Sequence, residues 1–360
     1  MEKFRLSIYV VLFALIFSYN TPALAQDQED ELEVKKTSTG HATGETILYK
    51  GDEASAVAIT NKHGNITIDA WEKDSIKIVY EINVGTFDEE LAKETLEQIS
   101  VNEYISGKKL YLKTMFEEDF QSSFTFSINY HLYVPPGIKA GLTSNFGDIY
   151  LNGLHEQIEV KADYGKLFIK NDSLNLPLAK MHLSFMEGDI TGTDTVNFFL
   201  NNCTMSLHGV KKVSGVTSFS VLSGDSIQQV KLKTSIDRIT LNSVEEASIT
   251  GEKTFCKITG LSHTGHFEIN TGGLNLSVAK TLTSLTVANK KANTELMVPS
   301  DIAYLLHGEV KQGRLSHYKQ DELKVLHDVD TITFSGEFGS GAQANIILFN
   351  TMSNLTIKQQ

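Results

Sequence analysis

Apolar and polar residues alternate along most of the chain. Val57 and Ile59, then Ile66, Ile68 and Ala70, then Ile76, Ile78, Tyr80, Ile82 and Val84 fall at every second position, the spacing of strands with one buried face. One stretch breaks the rhythm. Thr86 and Glu89 stand at capping-box spacing, and Leu91, Ala92, Leu96 and Ile99 form one stripe over the next three turns, which predicts a helix over 87–99. Tyr104 and Ile105 then face Leu110, Tyr111 and Leu112 across Ser106, Gly107, Lys108 and Lys109 as arms of a hairpin. A further strand over 124–134 ends at Pro135, Pro136 and Gly137. Residues 46–136 thus read as a β-rich N-terminal cap carrying one α-helix.

Beyond Gly137 short strands follow one another with Gly, Asn and Ser between them and no helical period, which calls for a search for repeats. With Phe146 as anchor, corresponding positions are Tyr164, Phe185, Asn202, Phe219, Ile236, Phe255, Gly273 and Lys291, at intervals of 18, 21, 17, 17, 17, 19, 18 and 18 residues. Neighbouring columns fall into line. Five positions after the anchors stand Leu151, Ile169, Ile190, Leu207, Gly224, Leu241, Gly260, Val278 and Leu296, mostly apolar, whereas two positions after most anchors the residue is polar, as at Asp148, Lys166, Glu187 and Thr204. A repeat with one such strand cannot bury its apolar side alone, so successive repeats must stack. The expected fold is all-β: a right-handed β-solenoid of about 18 residues per coil over 137–299, with terminal irregular coils and a cap over 300–360. Gly336, Glu337, Phe338 and Gly339, followed by Ala344, Ile346 and Leu348, read as a last coil closing the open end.

The first 25 residues bear on location. Lys3 and Arg5 precede an apolar run over 6–17 that closes on Ala23, Leu24 and Ala25, the arrangement of a secretory signal peptide. That run is short of the roughly 20 residues a spanning helix needs, so no transmembrane anchor is expected, and no cysteine stands where lipid would be attached. A polar leader over 26–45 follows. A net charge of -12 and a pI near 5.4 argue against nucleic acid as a partner. The 41% hydrophobic content suffices for a substantial core.

Several of these residues carry a resemblance. Ile59, Thr60, Asn61, Lys62, His63, Gly64, Asn65, Ile66, Thr67 and Ile68 with Trp71 shortly after, then Asn145, Phe146, Gly147, Asp148 and Ile149, then Asp163, Tyr164, Gly165, Lys166 and Leu167, are similar to the bacterial "putative adhesin" family of exported β-solenoid proteins. Its recurring element is an aromatic-Gly pair followed by a polar residue and an alternating strand. The pair is partly lost at Phe185, Asn202 and Phe219. The resemblance implies a right-handed solenoid and an envelope location, in the periplasm or at the cell surface, and brings no catalytic residues.

Catalytic constellations are scarce. Hexapeptide acyltransferases need an aliphatic residue at every sixth position, and steps of six from Ile149 reach His155 and Lys161. Sugar-cleaving β-helices place paired carboxylates on an outer face; here Asp148, Lys166, Glu187 and Asp189 lie on the outward column, where charge is ordinarily a solvated face. They are candidates for outer-face binding. His263 and His266 lack a third zinc ligand, and the glycines over 336–341 lack the Lys-Ser/Thr and helix of a phosphate loop. Phe124, Phe126, Tyr130 and Tyr133 fall on both faces of one strand and read as filling the junction between cap and rod rather than as a stacking platform for sugar rings. No cofactor or metal is expected. The chain reads as a structural or binding protein meeting an envelope or extracellular polysaccharide or protein, the alternative being a carbohydrate-active enzyme.

Cys203 and Cys256 each follow an anchor by one position, which puts them in one column three intervals, or about 14 Å, apart. A disulfide needs α-carbons within about 7 Å. Peptide mapping without reductant is expected to recover both cysteines as free thiols; an intrachain cross-link between them would show the repeat count to be wrong.

Overall fold

The computed structural model describes residues 35–37, 40–171 and 176–360. The expected signal peptide, and most of the expected leader, lie outside the described residues. The described residues are all-β, 71% strand and 4% helix, and the chain divides into two compact units that meet in sequence between residues 154 and 155, inside the stretch expected to belong to the repeats.

In the first unit β1 (Lys35–Thr37), β2 (Gly40–Lys50), β3 (Ala56–Lys62), β4 (Ile66–Ala70) and β5 (Ser75–Val84) precede helix α1 (Glu89–Glu97). After it come β6 (Ile99–Ser106), β7 (Lys109–Phe116), β8 (Phe126–Val134), β9 (Lys139–Asn145) and β10 (Ile149–Asn152). β2 begins inside the stretch expected to be a leader. One row of hydrogen-bonded strands runs β1, β2, β5, β8, antiparallel, and continues parallel through β4 to β10. The other runs β6, β7, β3, β9, antiparallel only in its first pair. Ile66, Ile68, Ile76, Ile78, Leu110 and Leu132 are fully buried, so the period-two pattern does mark the core. The helix is shorter than 87–99 because Asp88, rather than Thr86, caps it, its carboxylate accepting the Leu91 N–H at 3.1 Å. Ile99 opens β6 instead. Of the four aromatics on the last cap strand, Tyr130 is fully buried with its hydroxyl 2.8 Å from Thr114, and Phe126 packs edge-on against Phe116, Phe120 and His63.

The second unit comprises β11 (Ile158–Lys170), β12 (Ala179–Thr191), β13 (Thr195–Asn201), β14 (Thr204–His208), β15 (Lys212–Ser218), β16 (Val221–Ser235), β17 (Arg238–Val278), β18 (Ser284–Val298), β19 (Tyr304–Lys311), β20 (Leu315–His317), β21 (Lys324–Asp328), β22 (Thr331–Phe338), β23 (Ala344–Thr351) and β24 (Leu355–Gln359). The expected right-handed β-solenoid is overturned by how these strands pair. β12 bonds to β13 through its first half and to β14 through its second; β16 bonds to β14 and to β15 in the same divided way; β13 bonds to β15. The five close into a parallel barrel joined to a large sheet, not a uniform right-handed coil. Antiparallel pairs of β22 with β19 and β21 break the uniformity further. A repeat length says which residues share a column. It leaves open whether long strands run on or divide between two partners and close.

What the repeats did locate is a set of corners. Phe146, Tyr164, Phe185, Asn202, Phe219, Ile236 and Lys291 all have φ between 52° and 62°, the left-handed region that non-glycine residues rarely enter. The two remaining corners are Lys253 and Thr271, two residues before the expected Phe255 and Gly273. In the second unit the residue after each corner turns inward, and several of these side chains bind the strand before. Cys203 N–H donates to Ser220 Oγ at 3.1 Å, and Ser220 N–H donates to Asp237 Oδ1 at 2.7 Å. Asp237 is buried, and its Oδ2 also accepts from Thr217 Oγ1 and Ser235 N–H, both at 2.7 Å. The corner shift also corrects the cysteines. Cys203 lies one residue past corner Asn202 and Cys256 three past corner Lys253, so they occupy different columns; both are buried and free.

The last strands are not an end cap. β23 and β24 are inserted between β18 on one side and β19 and β20 on the other, parallel to all three.

Two substitutions test the corners. Gly64 follows corner His63 at φ 155°, and a Cβ there would meet Ile128 O at 2.0 Å, whereas a Cβ on Gly137 would meet nothing within 4 Å. Urea unfolding is expected to show Gly64→Ala destabilised by about 2–3 kcal/mol and Gly137→Ala within about 0.5 kcal/mol of wild type. Asp237→Ala, which strands the buried Ser220 N–H and the half-buried Ser235 N–H, should cost about 2–4 kcal/mol.

Candidate functional site

Strand segments of the second unit line a cleft of about 460 Å³ on the outer face. The corners set its register. Ile236, Lys253, Thr271, Lys291 and Met352 are left-handed, and two residues after each stands an outward residue: Arg238, Phe255, Gly273, Asn293 and Asn354. Two further on, Thr240, Lys257, Asn275, Glu295 and Thr356 form a second outward column. Between them Ile239, Cys256, Leu274 and Thr294 turn inward and form the floor. Ladder pairs fix the far side, with Gly273 opposite Asn293, Asn275 opposite Glu295, and Glu295 opposite Thr356.

The cleft exists because Gly273 is small. A Cβ on it would lie 3.3 Å from the Phe255 ring and 3.9 Å from Asn293 O, so the column drops to backbone between a ring and an amide. Phe255 is 55% exposed, with the Arg238 guanidinium carbon 5.9 Å from its ring centroid. Asn293 Oδ1 accepts the Asn354 N–H at 2.9 Å, which orients its amide. Glu295 is the one carboxylate of the lining, and it accepts from Lys358 Nζ at 2.7 Å. Arg238 and Lys257 have no ion-pair partner among the described residues. Burial pushes the Cys256 thiol up to about 12, so it stays protonated and is a floor group rather than a nucleophile.

The residues singled out from the sequence lie elsewhere. Lys166 stands directly opposite Glu187 in the ladder of β11 and β12, and Asp189 follows on the same face. Asp189 is engaged: Thr191 Oγ1 donates to it at 3.0 Å, and His208 Nε2 approaches it at 3.3 Å while Nδ1 lies 3.1 Å from Asp225. Asp148, in the first unit, accepts from the Tyr150 hydroxyl at 3.2 Å. None of the four lines the cleft. His266 Nε2 is 3.1 Å from Glu268, and among the described residues no cluster of His, Cys, Asp or Glu is able to hold a metal. The cleft residues escaped notice because they are uncharged or far apart in sequence. The signal that could have found them was a glycine, Gly273, in an outward column next to an exposed phenylalanine.

No protein-family model matches the chain, and no curated protein sequence matches it. Among solved structures, it is similar to a "putative cell adhesion protein" from Clostridium sporogenes, at 10% identity and TM-score 0.21 over 89% of this chain and 100% of that one. A "putative adhesin" from Parabacteroides merdae is similar at 10% identity and TM-score 0.28 over 88% of this chain and 96% of that one. Both scores are too low for a shared architecture to be argued, so the functional reading rests on this chain's own residues.

Proposed function

We propose that the protein is an exported, adhesin-like binding protein of the cell envelope without catalytic activity, and that the outer cleft of the second unit is its binding surface. The observation that carries this reading is the lining itself. It offers one exposed ring, three amides at Asn275, Asn293 and Asn354, and two hydroxyls at Thr240 and Thr356, but only one carboxylate, already held by Lys358. That set suits adsorption of a polar chain. Glycosidic hydrolysis generally takes two carboxyl groups about 5–10 Å apart. Export is supported by the basic, then apolar, then small-residue order of residues 1–25. Among the described residues no helix is long and apolar enough to cross a membrane.

Two measurements test the reading. Incubation of the purified protein with a panel of envelope and dietary polysaccharides is expected to release no reducing ends, while at least one polysaccharide retards the protein in affinity electrophoresis and Phe255→Ala weakens that retardation. Release of reducing ends that is abolished by Glu295→Gln, Asp148→Asn or Asp189→Asn would make the protein a carbohydrate-active enzyme instead.

A further inference from the structure

The charge around the cleft runs against the charge of the protein. The chain carries a net charge of -12, yet Arg238 and Lys257 project from the lining with no carboxylate against them. Corner residues Lys253 and Lys291 precede the ring and amide positions by two residues, are exposed, and likewise have no ion-pair partner among the described residues. The single acidic residue of the lining, Glu295, is neutralised by Lys358 at 2.7 Å. An unpaired basic cluster on an acidic protein concentrates anions locally while the remaining surface repels them.

We propose that the cleft binds an acidic polysaccharide, a chain of sugar rings carrying carboxylate or sulfate groups; this rests on the cleft being the binding surface, and adds the chemical class of its ligand. Phe255 supplies a flat apolar patch for a sugar ring. Arg238 and Lys257 meet the anionic groups, and Asn275 and Asn293 meet hydroxyls. Five adjacent strands about 4.8 Å apart give the cleft a length of roughly 19 Å, room for several rings in a row. The sparse aromatic content, one ring across five strands, fits hydroxyl-rich rings better than stacked bases, which call for a series of aromatic platforms.

The test is titration of the purified full chain with polygalacturonate, a sulfated glycan, a neutral galactan and a single-stranded oligonucleotide, at low salt and at about 0.5 M salt. Polygalacturonate or the sulfated glycan is expected to bind at least about tenfold more tightly than the galactan, with the difference shrinking at high salt. The double variant Arg238→Ala, Lys257→Ala should lose about tenfold in affinity for the acidic glycan and keep its unfolding midpoint, since both side chains are exposed. Gly273→Val should block the cleft for every saccharide. Lys358→Ala gives the most specific check. It removes no lining cation but frees the Glu295 carboxylate, so it should weaken binding of the acidic glycan and leave the galactan unaffected. Equal affinity for the galactan would overturn the acidic class while sparing the cleft as a binding surface. No binding of any saccharide would overturn both readings, and tighter binding of the oligonucleotide would replace the saccharide with a nucleic acid.

Discussion

A tight left-handed corner, recurring every 17 to 21 residues, sets the terms for the second unit. Each non-glycine residue held there costs about 1–2 kcal/mol in backbone strain, a cost met only because the strands on both sides enter continuous parallel ladders. The residue after the corner turns inward, and at Ser220 and Asp237 its side chain binds backbone of the preceding repeat. Both accept N–H groups that would otherwise be buried without a partner. One local geometry therefore selects side chains at two positions of every repeat, fixes the strand register, and decides which residues point out.

This explains why the corners were legible from the sequence and the closure was not. An aromatic-Gly pair such as Phe146 and Gly147 is visible because the exposed corner tolerates a large side chain while a Cβ at the next position would meet Gly64 O at 1.9 Å. The stacked, parallel rings of Tyr164 and Phe185, 4.7 Å apart, show that tolerance. Where Lys253 and Thr271 replace the aromatic, the nearest matching pattern starts two residues on, at Phe255 and Gly273, and the expected column of Cys256 shifts with it. Strand pairing is different in kind. Nothing local in β12 or β16 announces that each will divide itself between two partners, since both partners satisfy the same alternation.

The cleft is legible only after the register is known. Its ring, Phe255, and its gap, Gly273, are 18 residues apart in the chain and become neighbours only through the fold. Acidic residues drew attention from sequence because carboxylates are the usual mark of sugar chemistry. In the folded chain Asp189 and Asp148 are occupied by local hydroxyl and imidazole partners, while the cleft lining carries Arg238 and Lys257 without an ion-pair partner among the described residues. An outward column is thus informative less by its charges than by which of them lack an answer.

The placement of β23 and β24 bears on the order in which the protein can come into being. The free edge of β18 and the matching edges of β19 and β20 are filled by residues that follow all three in the sequence. A chain that emerges amino end first, from a ribosome or through a narrow pore, therefore holds three strands with open edges until its closing segment appears. The row cannot lock early. The ladders up to β18 are able to form beforehand, but the join between β18 and β19 with β20 waits for the chain's final residues, which supply the latch.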